Sequence, residues 1–300
     1  MMKNKAGEEG GVTFAYLSPK LDIDFMYNLN NHYNRQGYKL ITRHTLNDEI
    51  HNISQSTNGE NRQLVHTFRL GGNYKFNEQS QLGLSYTSSL NPDKQQSVTS
   101  SDNHSTTFNH APAEEQMHNV ALNYTSGFGL TGGIDYTYFR NKEEQSFRSI
   151  ENNGQETTFL SNTAQYINRW KVYVDQNHTL SNAWVLNYGT SFTYVNNHNS
   201  QRYNLAAMSG MNKESRVDEY TYNLYTGFEK NFGSQWSLNA SASIEYYQMM
   251  SYKKWAIYPT LNLSYVLSPS HILQFELSSN KTYPDYWTLS GSTSYLNNYQ

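Results

Sequence analysis

The stretch QWSLNASASIEYY, from Gln235 to Tyr247, alternates without a break: Trp236, Leu238, Ala240, Ala242, Ile244 and Tyr246 share one parity, Ser237, Asn239, Ser241, Ser243 and Glu245 the other. A period of two fixes an extended strand, because successive side chains leave a strand on opposite faces. The pattern recurs at Leu21, Ile23, Phe25, Tyr27 and Leu29 against Asp22, Asp24, Met26 and Asn28. It returns at Trp184, Leu186, Tyr188, Phe192 and Tyr194 against Asn187, Gly189, Ser191 and Thr193, and at Leu273, Phe275 and Leu277 against Gln274, Glu276 and Ser278. Each strand has one greasy and one strongly polar side. The fold then turns on which of the two meets water.

A soluble sandwich would put the greasy sides together in a core. The chain has little to build one with: of 300 residues 36% are hydrophobic, and the mean hydropathy is -0.80. Composition of that kind otherwise suggests disorder, yet disordered chains also lack aromatics, and here there are 26 Tyr, 13 Phe and 5 Trp. The 22 basic and 25 acidic residues leave a formal net charge of -3, so no global basic field favours nucleic acid. The absence of Cys excludes disulfides, thiolate zinc sites and cysteine nucleophiles. No apolar run approaches the roughly 20 residues of a spanning helix, and MMKNKAGEEGG contains no hydrophobic signal segment.

Short joints rich in Gly, Pro, Asn and Ser lie at 17–21, 76–81, 125–130, 180–184, 232–236 and 267–271. Between them run polar stretches that read as long loops: DEIHNISQSTNGENRQ, LNPDKQQSVTSSDNHSTTFNHAPAEEQ, RNKEEQSFRSIENNGQETTFLSNTAQ and NNHNSQRYNLAAMSGMNKESR. Short turn, strand, long loop, strand is the signature of an outer-membrane barrel, with short periplasmic turns and long extracellular loops. The expected fold is therefore all-β, an antiparallel up-and-down transmembrane barrel segment of about 12 strands forming one unit over 1–300, many strands longer than the ~10 residues that cross a bilayer. Lipid takes the apolar face. The polar face, with Asp22, Asp24, Asp135, Asp175 and Glu276 as lumen-facing candidates, lines a wet interior.

Aromatics fit two interfacial belts. Phe14, Tyr16, Tyr74, Phe76, Phe128, Trp184, Phe232, Trp236 and Tyr265 sit near the turns, and Tyr136, Tyr138, Tyr194, Tyr246 and Trp255 towards the loops. Chemical motifs are few. Asp102, His104 and His110 are loosely spaced in a loop, where a metal would need three or four convergent ligands. Glu114-Glu115 and Glu143-Glu144 are neighbours in sequence and diverge in space, so they read as solvated charge. There is no Gly-x-Ser-x-Gly elbow and no phosphate-cradling Gly loop. The expectation is no enzyme, no cofactor and no metal.

The C-terminal HILQFELSSNKTYPDYWTLSGSTSYLNNYQ resembles the late barrel strand and following loop of TonB-dependent receptors of the Bacteroidetes outer-membrane β-barrel group. There a Ser-rich strand end runs into an Arg-Pro-Ser-Tyr-like turn and then Leu-Asn-Pro; this chain has Lys281 to Tyr286 and Leu289-Ser290-Gly291 at those places. NEQSQLGLSYTSSLNPDKQQS and KWAIYPTLNLSYVLSPSHILQFELS are similar in style to the same group's hairpins. The resemblance implies active uptake of a scarce nutrient across the bacterial outer membrane, with a plug domain and an inner-membrane energy-coupling complex as partners besides lipid. No segment of this sequence looks like the plug. Two alternatives stay open, a passive porin-like or assembly-type barrel and an outer-membrane enzyme or adhesin. With no export signal and a stop at STSYLNNYQ, the chain reads as a piece of a barrel that in this class closes with about 22 strands. That reading expects an open, curved sheet edged by the strands around Phe14 and Phe275, against a small closed barrel.

Overall fold

In a computed structural model the described residues are 7–46, 49–279 and 281. They form a single sheet of 12 strands in sequence order, each antiparallel to its neighbours. The strands are β1 (Glu8–Leu17), β2 (Leu21–Leu46), β3 (Glu49–Lys75), β4 (Gln81–Ser101), β5 (Ser105–Thr125) and β6 (Leu130–Glu151). Then follow β7 (Glu156–Thr179), β8 (Trp184–Tyr203), β9 (Lys213–Phe232), β10 (Trp236–Met249), β11 (Tyr252–Ser268) and β12 (His271–Ser278). Among the described residues β1 and β12 share no ladder, so the sheet is open at the strands of Phe14 and Phe275. Two 3-10 turns, Ser181–Ala183 and Ala206–Met211, punctuate the β7–β8 and β8–β9 connections.

The short joints sit where the sequence placed them, all at one end. The four polar stretches are not loops. Their described residues are mostly strand, turned at short tips: β2 and β3 pair from Leu21↔Tyr74 up to Leu46↔Glu49, and β6 and β7 from Leu130↔Gln176 up to Ile150↔Glu156. The physical reason is that an all-polar strand lacks the apolar alternation that betrays a strand, yet its backbone still gains from a ladder with a neighbour. Asn58 and Met208 therefore lie in β3 and in the 3-10 turn, while tight tips carry Asn103 and Asn152. The rings assigned to the loop ends lie partway up strands for the same reason.

Register makes the faces continuous. On the outer face Leu84, Leu122, Ile134, Val172 and Phe192 are consecutive partners across β4 to β8. The next row towards the tips is Leu70, Tyr86, Val120, Tyr136, Trp170, Tyr194 and Tyr220. Phe25, Leu122, Ile134, Ile244 and Phe275 are exposed, as a lipid-facing wall requires and a sandwich core does not. A lower aromatic belt flanks the turns, with Trp236 stacked on Tyr265 at 4.3 Å and Trp184 edge-on to Phe232 at 5.9 Å. The upper belt pairs Tyr136 with Trp170 at 4.4 Å and Tyr246 with Trp255 at 4.9 Å.

At about 3.3 Å per residue and a tilt near 40°, a strand climbs ~2.5 Å per residue along the membrane normal. The apolar band, roughly 25 Å tall, takes about ten residues of β6, from Leu130 to Arg140, and the remaining residues of the 22 stand outside lipid. There the inner face is the buried one: Asn109, Ala111, Gln145, Phe147, Phe159, Ser161, Asn197 and Gln201 are buried, while Phe108 on the other face is exposed. A single layer buries one face only by curling around it. Phe147, Phe159 and Tyr203 form the small core of this extension, closed from above by Met208.

One irregularity interrupts the pattern. The β3–β4 register shifts between Arg62 and His66 and the β4–β5 register between Asn91 and Lys94, which places one extra residue in β4 at Pro92–Asp93 relative to both neighbours. Proline suits a bulge because it has no N–H to contribute to a ladder.

Candidate functional site: the inner polar face

Alternation puts Asp22 and Asp24 on the inner face of β2, Asp135 on β6, Asp175 on β7 and Glu276 on β12. Four of the five have partners across the sheet. Lys75 Nζ lies 2.6 Å from Asp22 Oδ2 and Arg69 Nε 3.2 Å from Asp24 Oδ2. Asp135 accepts from Asn119 Nδ2 at 2.9 Å and faces Arg169 Nη1 at 3.6 Å. Asp175 accepts from the Tyr225 hydroxyl at 2.8 Å. Glu276, opposite Asn262, is exposed on edge strand β12. The acids are thus members of a charge-balanced lining rather than one converging cluster. Lys75, Arg69 and Arg169 were not singled out from the sequence, although each sits on the polar parity of its strand, and that parity is the signal that finds them.

Tyr225 and Tyr173 show a second device. Each phenol crosses the intervening strand to reach an acceptor two strands away: Tyr225 over Gly189 to Asp175, and Tyr173 over Gly133 to Asn123 Oδ1 at 2.8 Å. A Cβ on Gly189 would lie 2.8 Å from Tyr225 Cε1, and one on Gly133 2.7 Å from Tyr173 Cε1. Only glycine leaves room for the ring. The aromatic braces tie strands three at a time.

On β10 and β11 the inner face carries a cavity of about 430 Å³ lined by Tyr225, Ser243, Glu245, Tyr258, Thr260 and Lys281. Lys281, just beyond β12, reaches back over β11 to pair with the buried Glu245 and lies 5.7 Å from the Tyr258 ring centre. Sequence reasoning had no access to this pair, since its members are 36 residues apart and its lysine lies past β12.

Higher up, one row of register partners crosses the inner wall: Asn91, Glu115, Asn141, Gln165, Asn199 and Ser215. Lys94 Nζ holds Glu115 at 2.9 Å, whereas Glu114, on the outer face, bonds Arg140 Nη2 at 3.1 Å, so these neighbouring acids diverge. Asn199 is buried, and both ends of its amide lack a hydrogen-bond partner within the protein. Among the described residues no group of three or more His, Asp or Glu is arranged to hold a metal. Asp102 instead accepts from the backbone N–H of His104 and Ser105, fixing the β4–β5 turn, and His110 lies 2.9 Å from Ser97 Oγ.

Two carboxylates near the extracellular tips are held below their ordinary range. Arg148 donates to both Glu156 oxygens at 2.8 and 3.1 Å and keeps that acid ionised to lower pH. Glu214 is lowered by its bond with His198 at 3.1 Å and by the nearby Arg202. These groups contribute to the charge of the tips.

A family model described as outer membrane protein beta-barrel matches residues 124–300. Among solved structures, the translocator domain of the autotransporter NalP from Neisseria meningitidis is similar at 9% identity and a TM-score of 0.35, covering 88% of this chain and 84% of that one. The beta domain of the Bordetella autotransporter BrkA gives 10% identity, a TM-score of 0.36 and coverages of 84% and 93%. The ferric citrate transporter FecA in its unliganded form gives 11% and 0.42, with 89% of this chain covering 43% of that one. Comparison with curated proteins finds no match.

Proposed function

The chain belongs to the outer membrane protein beta-barrel family and lies in the bacterial outer membrane, and from that premise we propose that its sheet is part of the wall of a receptor for active nutrient uptake. In this reading a plug domain occludes the lumen, an inner-membrane complex supplies the energy, and the barrel itself performs no catalysis. The observation that supports it is the open 12-stranded sheet. Unpaired N–H and C=O groups in hydrocarbon cost several kcal/mol each, so β1 and β12 call for further strands at their free edges. A barrel of more than 12 strands encloses a lumen wide enough to leak, which a plugged receptor prevents and a passive pore does not. The charge-balanced inner lining suits contact with a plug and with polar solutes.

Proteoliposome swelling tests this. The native protein, purified from outer membranes, should admit neither glucose nor raffinose, and uptake by cells that depend on it should stop when a protonophore collapses the proton gradient. Rapid swelling with glucose, or uptake that survives the protonophore, would replace the receptor with the passive barrel.

A further inference from the structure

On the inner face of β9 to β11 the register sets large residues beside small ones. Ser243 has Tyr225 on one side and Tyr258 on the other, and Ser241 has Gly227 and Thr260. Tyr225 leans away over Gly189 to bond Asp175 at 2.8 Å, so the space above the two serines stays open. That space is the cavity of about 430 Å³, with Tyr258 as its aromatic wall. Glu245 stands one inner-face step above Ser243, between Asn223 and Ala256. It lies about nine residues above Trp236 on β10, which at ~2.5 Å of climb per residue places it roughly 22 Å from the turn end. The cavity is therefore on the lumen side of the upper aromatic belt.

The acid belongs to the wall, and its cation comes from elsewhere in the chain. Glu245 is 3% exposed on a regular strand, whereas Lys281 lies beyond β12, crosses β11 and keeps 35% of its side chain exposed. Its ammonium meets the Glu245 carboxylate and sits 5.7 Å from the Tyr258 ring centre, so the cation is held between an anion and an aromatic face. A buried carboxylate needs such a partner, because a lone charge there is strongly destabilising. The hydroxyls of Ser243 and Thr260, which also line the cavity, are acceptors that the three N–H donors of an ammonium can use. The cavity persists with Lys281 seated, which leaves room beside it for an alkyl chain.

We propose that this cavity is a recognition site for a primary alkylammonium group of a solute, in which Lys281 is a tethered occupant that the solute's ammonium replaces on Glu245. Exchange of one cation for another keeps the buried carboxylate paired throughout, and the lysine, already partly exposed, moves into the lumen water. A primary ammonium is favoured over a quaternary one because only the former donates to the carboxylate and the hydroxyls. That the ligand is a transported solute rests on the uptake reading; its binding does not.

Ligand-observed NMR titration of the native protein in detergent tests it, with n-pentylamine, n-pentanol and n-pentyltrimethylammonium as probes. Pentylamine should bind at least about tenfold more tightly than pentanol, a difference one charge-assisted bond supplies. Glu245→Gln should erase that preference. Lys281→Met should bind pentylamine more tightly than the wild type does, because a site occupied by its own lysine is only fractionally available; a lysine with a merely structural role would give no such gain. Lys171→Met, which removes an inner-face cation on β7, should change nothing. Equal affinity for pentylamine and pentanol, an unchanged preference in Glu245→Gln, or no tightening in Lys281→Met overturns the proposal. Pentyltrimethylammonium binding as tightly as pentylamine overturns the primary-ammonium class and leaves a general organic-cation site. If either variant at the pair does not fold, the wild-type preference decides alone. Binding in detergent needs neither plug movement nor energy, so its failure leaves the swelling and protonophore results to judge the uptake reading separately.

Discussion

Ile134→Arg tests the lipid face near the middle of its apolar band. Ile134 is 44% exposed, pairs with Leu122 on one side and Val172 on the other, and lies four residues above the start of β6. At ~2.5 Å of climb per residue that is about 10 Å into a band of roughly 25 Å, close to the midplane. An arginine there should cost about 2–4 kcal/mol, falling to about 0–1 kcal/mol near an interface. Tyr138→Arg, four residues higher on the same face and ~20 Å up, should therefore cost about 1 kcal/mol or less. Asp135→Asn, adjacent in sequence but on the inner face, removes the charge that faces Arg169 at 3.6 Å and leaves an amide oxygen able to accept from Asn119, a change worth about 0–1 kcal/mol. The assay is reversible denaturant unfolding from phospholipid vesicles, followed by tryptophan fluorescence. A cost ordered Ile134→Arg far above Tyr138→Arg and Asp135→Asn is expected. Equal costs for the three, or an Ile134→Arg below about 1 kcal/mol, would refute the assignment of faces and with it the depth scale.

The remaining expectations are briefer. Phe159→Ala opens a void beside Phe147 and Tyr203, whose ring centres lie 4.9 and 6.0 Å away, and should weaken the extracellular core by about 3–5 kcal/mol, seen as faster hydrogen exchange in the upper parts of β6 to β8 with the membrane band unchanged. Glu156 has its pKa lowered by Arg148, so its contribution is present above the ordinary value of 4.5 and is lost as pH falls through the lowered one; exchange at the β6–β7 tip should rise as pH falls below the ordinary value, and Glu156→Gln should remove that dependence. Gly189→Val drives a side chain into the space of Tyr225 and should cost about 1–3 kcal/mol by overpacking, with little further loss in Gly189→Val, Tyr225→Phe combined, measured by the same unfolding assay. Trypsin added to intact cells should cut beside Lys213 near the β8–β9 tip and spare Lys20 in the β1–β2 turn; cleavage confined to Lys20 would invert the topology.

What was legible followed the solvent. Where one face meets lipid, as in Trp236 to Tyr246, the alternation reads directly and gives strand, facing and neighbour order together. Above the band, water bathes the outer side and small polar residues line the inner one, so segments such as Gln95 to Ser101 or Asn196 to Gln201 lose their contrast and read as loop. The inner candidates were found through parity alone. Their partners were not, because Arg69 with Asp24 and Tyr225 with Asp175 are set by register between distant segments. Glu245 with Lys281 lay further out of reach, since no periodicity marks the chain beyond β12.

The bulge in β4 divides that strand into two regimes of mutational tolerance. Below Pro92 the odd-numbered residues Ser85, Thr87 and Ser89 face inward, and above it the even-numbered Lys94, Gln96 and Val98 do. Within 81–90 a one-residue insertion would turn every following apolar side chain from lipid to lumen up to the bulge. Beyond the bulge both faces are wet or packed with small polar groups, so an added residue changes pairing without exposing charge to hydrocarbon. Length variants of this protein should therefore cluster in the outer reaches of its strands and stop abruptly at the level of Leu90, a boundary that a deep insertion scan would draw residue by residue.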